Sequence, residues 1–267
     1  MAIDHRLRFA LHEAPGLEVC LDGAERVQMQ CAAPHLRSEL EELVAGVLER
    51  TTPAERSHKL LLVPAEEEEL DRLCVVLSWM EYVFRDGGVP TASSPVHLSP
   101  LRDGTPAPDL AQMMSLVPAG ALEDLAALTA VAQQGIFHEL RSWTTSQEVD
   151  VGPVFAGSGD VQGADADWAV RGTLLDCKAT VSPVKLADGH ALYQLACYPL
   201  LDYDDSMQIT TVGVYLARQG QLVKWPMTQL LTELAGGPVD LAELRADLRE
   251  HLARRKRKPH TVRSGRQ

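Results

Sequence analysis

The chain has 267 residues, 45% of them hydrophobic and 23% charged, with a formal net charge of −12. That is enough apolar material for a full core in one large or two smaller domains, and the absence of any apolar run of about 18 residues or of a secretory leader points to a cytoplasmic protein with no membrane partner. Its five cysteines, Cys20, Cys31, Cys74, Cys177 and Cys197, lack C-x-x-C spacing and read as buried free thiols rather than a disulfide framework, a zinc ribbon or an iron–sulfur site.

The first region, residues 1–85, reads as an α+β segment of its own. Strands are expected at "LEVCL" (17–21) and "RVQMQC" (26–31), then an amphipathic helix at "HLRSELEELVAGVLER" (35–50). The apolar run "KLLLVP" (59–64) leads into a helix at "AEEEELDRLCVVLSWMEYVF" (65–84). Its glutamates 66 to 69 suit the positive end of that helix as a solvated first turn. Residues 86–112 open with "DGGVPTASSPVHLSPLRDGTPAP", whose Pro, Gly and Ser content reads as a linker or loop unable to sustain helix or strand. The region before it is expected to dock separately and to offer a surface for a protein partner.

Residues 113–253 carry a different rhythm. Helical apolar spacing runs from 119 to 143, and glycine-broken, strand-like sequence follows in "GPVFAGSGDVQGADADWAV". A strand "TLLDCKAT", a helix "ALYQLACYPLLDY", a strand "ITTVGVYLA", a turn "RQGQ" and a strand "LVKW" complete an αβββαβ order. A last helix, "DLAELRADLREHLARR", runs into the tail 254–267, which holds seven Lys or Arg and no acid. The first 253 residues are therefore seven charges more negative than the whole, at −19. An acidic body repels nucleic acid while a basic tail attracts it, and composition leaves both a solvated tail and a phosphate-binding one open.

The chemistry concentrates in "GADADWAVRGTLLDCKAT" (163–180). Burying carboxylates beside apolar strands is costly unless they are paired, hydrogen-bonded or holding a metal. In a strand, i and i+2 share a face, so Asp176 and Lys178 project together and Cys177 points away. Asp165 and Asp167 also share a face. If the strands flanking "RG" pair antiparallel, one of those aspartates meets Asp176 across the ladder. Two carboxylates and a lysine in one small volume suit Mg²⁺ or Mn²⁺, whose Lewis acidity serves phosphodiester hydrolysis.

At these residues the sequence resembles the PD-(D/E)XK, or restriction-endonuclease-like, nuclease superfamily. "GADAD" is followed nine to eleven positions later by "DCK", and "YQLACYPLLDY" places Gln194 and Tyr198 as in the Q-x-x-x-Y helix of the RecB-like branch. The "TVGVYLARQGQLVKW" hairpin fits the strands that follow there. The resemblance spans about 119–225 and implies an α/β core with a central mixed β-sheet flanked by helices. It implies a metal-dependent nuclease acting on nucleic acid, DNA rather than RNA, in repair or in defence against foreign DNA. Asp167, ahead of Asp165, and Asp176 would bind the metal with the Cys177 carbonyl, and Glu139 or His138 on the preceding helix would complete the site. Lys178 would position or activate water, with Gln194 and Tyr198 orienting lysine or substrate. The chain lacks the four cysteines of iron–sulfur relatives and a G-x-x-x-x-G-K-[ST] nucleotide loop. The alternative is a catalytically inactive module of this fold that binds nucleic acid or a protein partner.

Overall fold

A computed structural model describes residues 2–30, 35–56, 62–86, 88–91, 94–100, 108–136, 140, 148–161, 163–182 and 189–257. Five helices come first: α1 (Ala2–Leu11), α2 (Glu18–Gln30), α3 (Leu36–Arg50), the short α4 (Pro53–Arg56) and α5 (Pro64–Asp86). A two-stranded hairpin follows, β1 (Gly88–Thr91) with β2 (Ser94–Pro100), then α6 (Leu110–Leu116) and α7 (Ala119–Gln134). The remainder builds one sheet from β3 (Val149–Val151), β4 (Trp168–Val170), β5 (Thr173–Lys178), β6 (Thr211–Leu216) and β7 (Gln221–Pro226). Helix α8 (His190–Leu201) joins β5 to β6, and α9 (Met227–Ala235) and α10 (Leu241–Arg257) end the described chain.

The sheet order is β3-β4-β5-β6-β7, antiparallel throughout except for the parallel pair β5 and β6. The expected α/β class with a mixed sheet is present. A parallel neighbour cannot be reached by a tight turn, which is why α8 lies between β5 and β6. The antiparallel β4–β5 connection needs only Arg171 and Gly172, both at positive φ (47° and 73°), the geometry of a two-residue hairpin turn.

Residues 1–85 depart from the sequence reading in three ways. The predicted strands at 17–21 and 26–31 fall largely on the single helix α2, with Cys31 outside the described residues, so the described residues of this region form helices rather than an α+β segment. Its buried positions Leu17, Cys20, Ala24 and Val27 recur at helical spacing, a period that two five- or six-residue windows are too short to separate from alternation. Gly23 lets α2 press against α5: a Cβ there would stand 2.0 Å from the Met80 carbonyl oxygen. Second, Glu67 is buried rather than solvated, and pairs with Arg6 at 2.9 Å. Third, the region does not stand apart. Ile3, Leu7, Leu77 and Met80 share one hydrophobic core with Val151, Trp168, Leu175 and Tyr215 of the sheet.

Alternation along β5 explains the layering. Leu175 and Cys177 face the core beneath the N-terminal helices, and Leu174 faces a second core with Ala169, Val212, Leu195 and Leu230 beneath α8, α9 and α10. Asp176 and Lys178 project on that second side. Three of the four described cysteines, Cys20, Cys74 and Cys177, are buried free thiols, whereas Cys197 is exposed. Trp168 is wholly buried against Tyr215, while Trp225 is partly buried against the second core.

The supposed linker contains structure too. β1 and β2 pair antiparallel with Val89 opposite Ser99, and prolines are tolerated because both strands of a two-stranded ribbon are edges. Asp109 and Gln112 form a reciprocal capping box that starts α6. The helix predicted over 119–143 is α7 as far as Gln134, where Gly135 caps it. His138 and Glu139 lie outside the described residues, as do 258–267 of the basic tail; Arg254 and Arg255 extend α10. Helix α9 was not anticipated, although Met227, Leu230 and Leu231 at helical spacing and the stop at Gly236 (φ 73°) mark it. Among the described residues no single helix is long and apolar enough to cross a membrane.

Candidate active site

The β4–β5 register sets Trp168 opposite Leu175. Continued by one residue, that register would set Asp167 across from Asp176, with Asp165 two residues further from the turn. The Asp167 Oδ2 accepts a 2.5 Å hydrogen bond from the Cys177 backbone N–H, so the carboxylate leans over the start of the D-x-K segment. Asp165 goes elsewhere: its Oδ1 is held by Arg85 at 2.7 Å.

Lys178 stands beside Asp176, its Nζ 2.8 Å from Asp176 Oδ2. It also donates to Gln194 Oε1 at 3.2 Å, and Gln194 Nε2 donates to the Tyr198 hydroxyl at 2.7 Å. An ammonium only donates, which fixes which end of the Gln194 amide faces it. Gln194 and Tyr198 lie one turn apart on α8, so a single helix face presents both toward β5. Tyr198 is buried and stacks on Phe155 at 5.6 Å between ring centroids. The five residues Asp167, Asp176, Lys178, Gln194 and Tyr198 are thus brought together. The Cys177 thiol is buried in the opposite core, as strand alternation requires.

The electrostatics are unusual for a cluster at the edge of a core. Burial pushes the Asp167 carboxyl well above the usual range, the charges of Asp4 and Asp176 add to this, and Arg8 opposes it. Burial also raises Asp176 despite the charge and hydrogen bond of Lys178. Burial alone would depress Lys178, but Asp176 outweighs it and the ammonium is held above its ordinary value. Burial raises the Tyr198 hydroxyl, with the Asp176 charge next. Two carboxyl groups strained toward protonation beside a firmly charged lysine is an arrangement that a bound cation would relieve.

Two further residues reach the site from α1. Arg8 lies 3.6 Å from Asp167 Oδ1, and Asp4 Oδ2 faces Arg8 at 2.9 Å. Sequence reasoning missed both, because "DHRLRF" lies in a helix buried on every side whose charges look like those of a solvated terminus. The i, i+4 spacing of Asp4 and Arg8 was the one legible sign.

Among the described residues no three His, Cys, Asp or Glu side chains form a metal-binding group. Asp167 and Asp176 remain as a two-carboxylate donor set. That fits Mg²⁺ or Mn²⁺ of the hydrated kind, which takes one or two carboxylates and keeps several waters. No family model, no curated protein and no solved structure matches the chain.

Proposed function

We propose that the protein is a metal-dependent nuclease that hydrolyses phosphodiester bonds of nucleic acid, with DNA as the favoured substrate. The observation that carries the reading is the joining of Asp167, Asp176 and Lys178 to the Gln194–Tyr198 face of α8, across a strand pair that continues into a parallel crossover. A sheet of three antiparallel strands, a helix and a parallel fourth strand supports a restriction-endonuclease-like core, and the D-x-K segment lies on the strand where that family bears its site.

In this reading Asp167 and Asp176 hold Mg²⁺ or Mn²⁺. The cation supplies Lewis-acid chemistry, neutralising a phosphodiester and acidifying water. Lys178 keeps its charge because Asp176 is adjacent, and two of its three N–H donors are used by Asp176 and Gln194. The third can be directed at a water or at phosphate oxygen as negative charge develops, the kind of preorganised donor that dominates electrostatic catalysis. Gln194 locks the ammonium in place, and the buried Tyr198 locks Gln194.

The direct test incubates the full chain with single- and double-stranded DNA and RNA in Mg²⁺, Mn²⁺ or EDTA. Cleavage with either cation and none in EDTA is the expected pattern. Undiminished cutting in EDTA overturns the role of the carboxylates, and binding without cutting under every condition replaces the reading by a non-catalytic nucleic-acid module.

A further inference from the structure

We infer that Arg8 of α1 is a positioning residue for Asp167, anchored by Asp4 and the Gly16 carbonyl and passing beside Gly152, where any side chain would meet it. The inference rests on the nuclease reading only for its kinetic consequence. Asp167 precedes β4, in a stretch whose backbone is tied to the neighbouring loop by Gly152 N–H to Asp167 O at 2.9 Å and Ala166 N–H to Pro153 O at 3.2 Å. Those bonds fix the main chain and leave the side-chain torsions open. The carboxylate has two neighbours that can orient it: the Cys177 N–H, which donates to Oδ2, and the Arg8 guanidinium, an ion-pair contact 3.6 Å from Oδ1.

Arg8 is itself held on three edges. Its Nε and Nη2 both reach Asp4 Oδ2 at 2.9 Å, and its Nη1 donates to the Gly16 carbonyl at 3.2 Å. The surroundings have no room for a side chain at either glycine. A Cβ on Gly152 (φ 68°) would stand 2.6 Å from Arg8 Nη1, and one on Gly16 (φ 61°) would stand 2.4 Å from the Val151 carbonyl oxygen. Both glycines adopt the left-handed backbone that other residues avoid. A planar fork with several fixed donors suits these partners, and a lysine would not.

The same logic recurs one step along the chain. Asp165 is tethered by Arg85 at 2.7 Å, Arg85 by Glu81 at 2.9 Å, and Glu81 by His5 at 3.2 Å. Both acids of "GADAD" are therefore held by arginines of the N-terminal helices, one on α1 and one on α5. Partners one step behind the reacting groups commonly change metal affinity or activity by about 10- to 100-fold when removed.

The test uses the full chain carrying Arg8→Gln, with Arg8→Lys as the variant that keeps the charge and loses the fork. The Cys177 amide reports the Asp167 carboxylate directly, since it donates to it. In Arg8→Gln its NMR-detected hydrogen exchange should quicken about tenfold or more, while the Val212 and Val214 amides in β6 stay protected. With DNA as substrate and Mg²⁺ present, kcat should fall about 10- to 100-fold at unchanged KM, and Arg8→Lys should recover part of the loss. A folded Arg8→Gln chain with wild-type Cys177 exchange overturns the inference, as does an unchanged kcat. If Arg8→Gln does not fold, the same two readouts on Arg8→Lys decide. Should the wild-type chain cut no nucleic acid, the nuclease reading fails by itself and the Cys177 exchange alone decides whether Arg8 positions Asp167.

Discussion

The helical layer of α1 and α5 and the strand pair β4–β5 both bury carboxylates, but they treat them in opposite ways. In the helical layer each has a guanidinium close by: Asp4 has Arg8 at 2.9 Å, Glu67 and Asp71 have Arg6 at 2.9 and 3.0 Å, and Glu81 has Arg85 at 2.9 Å. Burial pushes Glu81 up, yet the hydrogen bond and charge of His5 together with Arg85 outweigh it and bring the carboxyl down to about 2. At the strand pair, Asp176 has Lys178 at 2.8 Å and Asp167, just before β4, has only a looser contact with Arg8 at 3.6 Å, and burial leaves both carboxyls raised. Paired buried charge fixes an architecture, whereas carboxylates left short of positive charge mark a place where chemistry can occur.

The largest effect should come from the strand side. Lys178→Ala should lower cleavage of a DNA substrate by about 10² to 10³, while circular dichroism and Mn²⁺ titration stay near wild type because both carboxylates remain. Asp176→Ala should lose Mn²⁺ binding together with cleavage. A folded Lys178→Ala chain cutting at the wild-type rate would remove the lysine from the chemistry and erase the contrast.

Next in size is the helical side. Arg6 is fully buried, bonded to Asp71, to Glu67 and to the Arg56 carbonyl at 2.5 Å. Arg6→Met leaves two buried carboxylates without it and should cost about 3–5 kcal/mol in urea unfolding. A loss under 1 kcal/mol would mean that these pairs do not carry the layer.

The two regions should also respond to pH with opposite sign. Glu81 has a folded value below its unfolded one, so its contribution is present above the ordinary carboxylate range and is lost as pH falls through about 2. Glu81→Gln should therefore destabilise the chain at pH 7 and stop doing so near pH 2. Asp176 has a folded value above its unfolded one, so the metal-free fold loses stability as pH climbs past about 3.9. Asp176→Asn should raise the melting temperature in EDTA at pH 7, with the gain vanishing in acid. Equal pH responses of the two variants would break the comparison.

The smallest effect is expected at the exposed end of the scale. Arg171 makes a bidentate pair with Glu148 at 2.7 and 2.8 Å, but both side chains are substantially solvated. Arg171→Asn loses a surface pair worth about 0–1 kcal/mol and gains a residue suited to the first position of this turn. Thermal melting should move by no more than about 0.5 kcal/mol equivalent in either direction, since surface changes rarely exceed that.

Much of the strand side is legible in the sequence. "WAVRGTLLDCK" contains its own turn, and side-chain alternation alone puts Asp176 with Lys178 and turns Cys177 away. The four-residue spacing of Gln194 and Tyr198 within an apolar helix announces a shared face. Face alone does not separate Asp165 from Asp167, since both fall on one side, but "WAV" directly after Asp167 ranks it first, and the register that sets Trp168 opposite Leu175 agrees with that order. The N-terminal side was read less well. The short apolar alternation within α2 fits a strand as well as a helix, and the run of Asp, His and two Arg in α1 has the composition of a solvated terminus.

What the sequence by itself determined is therefore local: the strands and turn around the D-x-K segment, the helix behind it, and the character of the charges placed there. Such features depend on periods of two and 3.6 residues, and on turn chemistry, within a window of about a dozen residues. What only the tertiary structure decided is which distant charges meet. Arg6 is buried because Glu67 and Asp71, more than 60 positions away, close around it, and Arg8 reaches Asp167 past Gly152, where a side chain would meet its guanidinium. Burial of a charge depends on partners brought together by the whole fold, and no local pattern encodes that meeting.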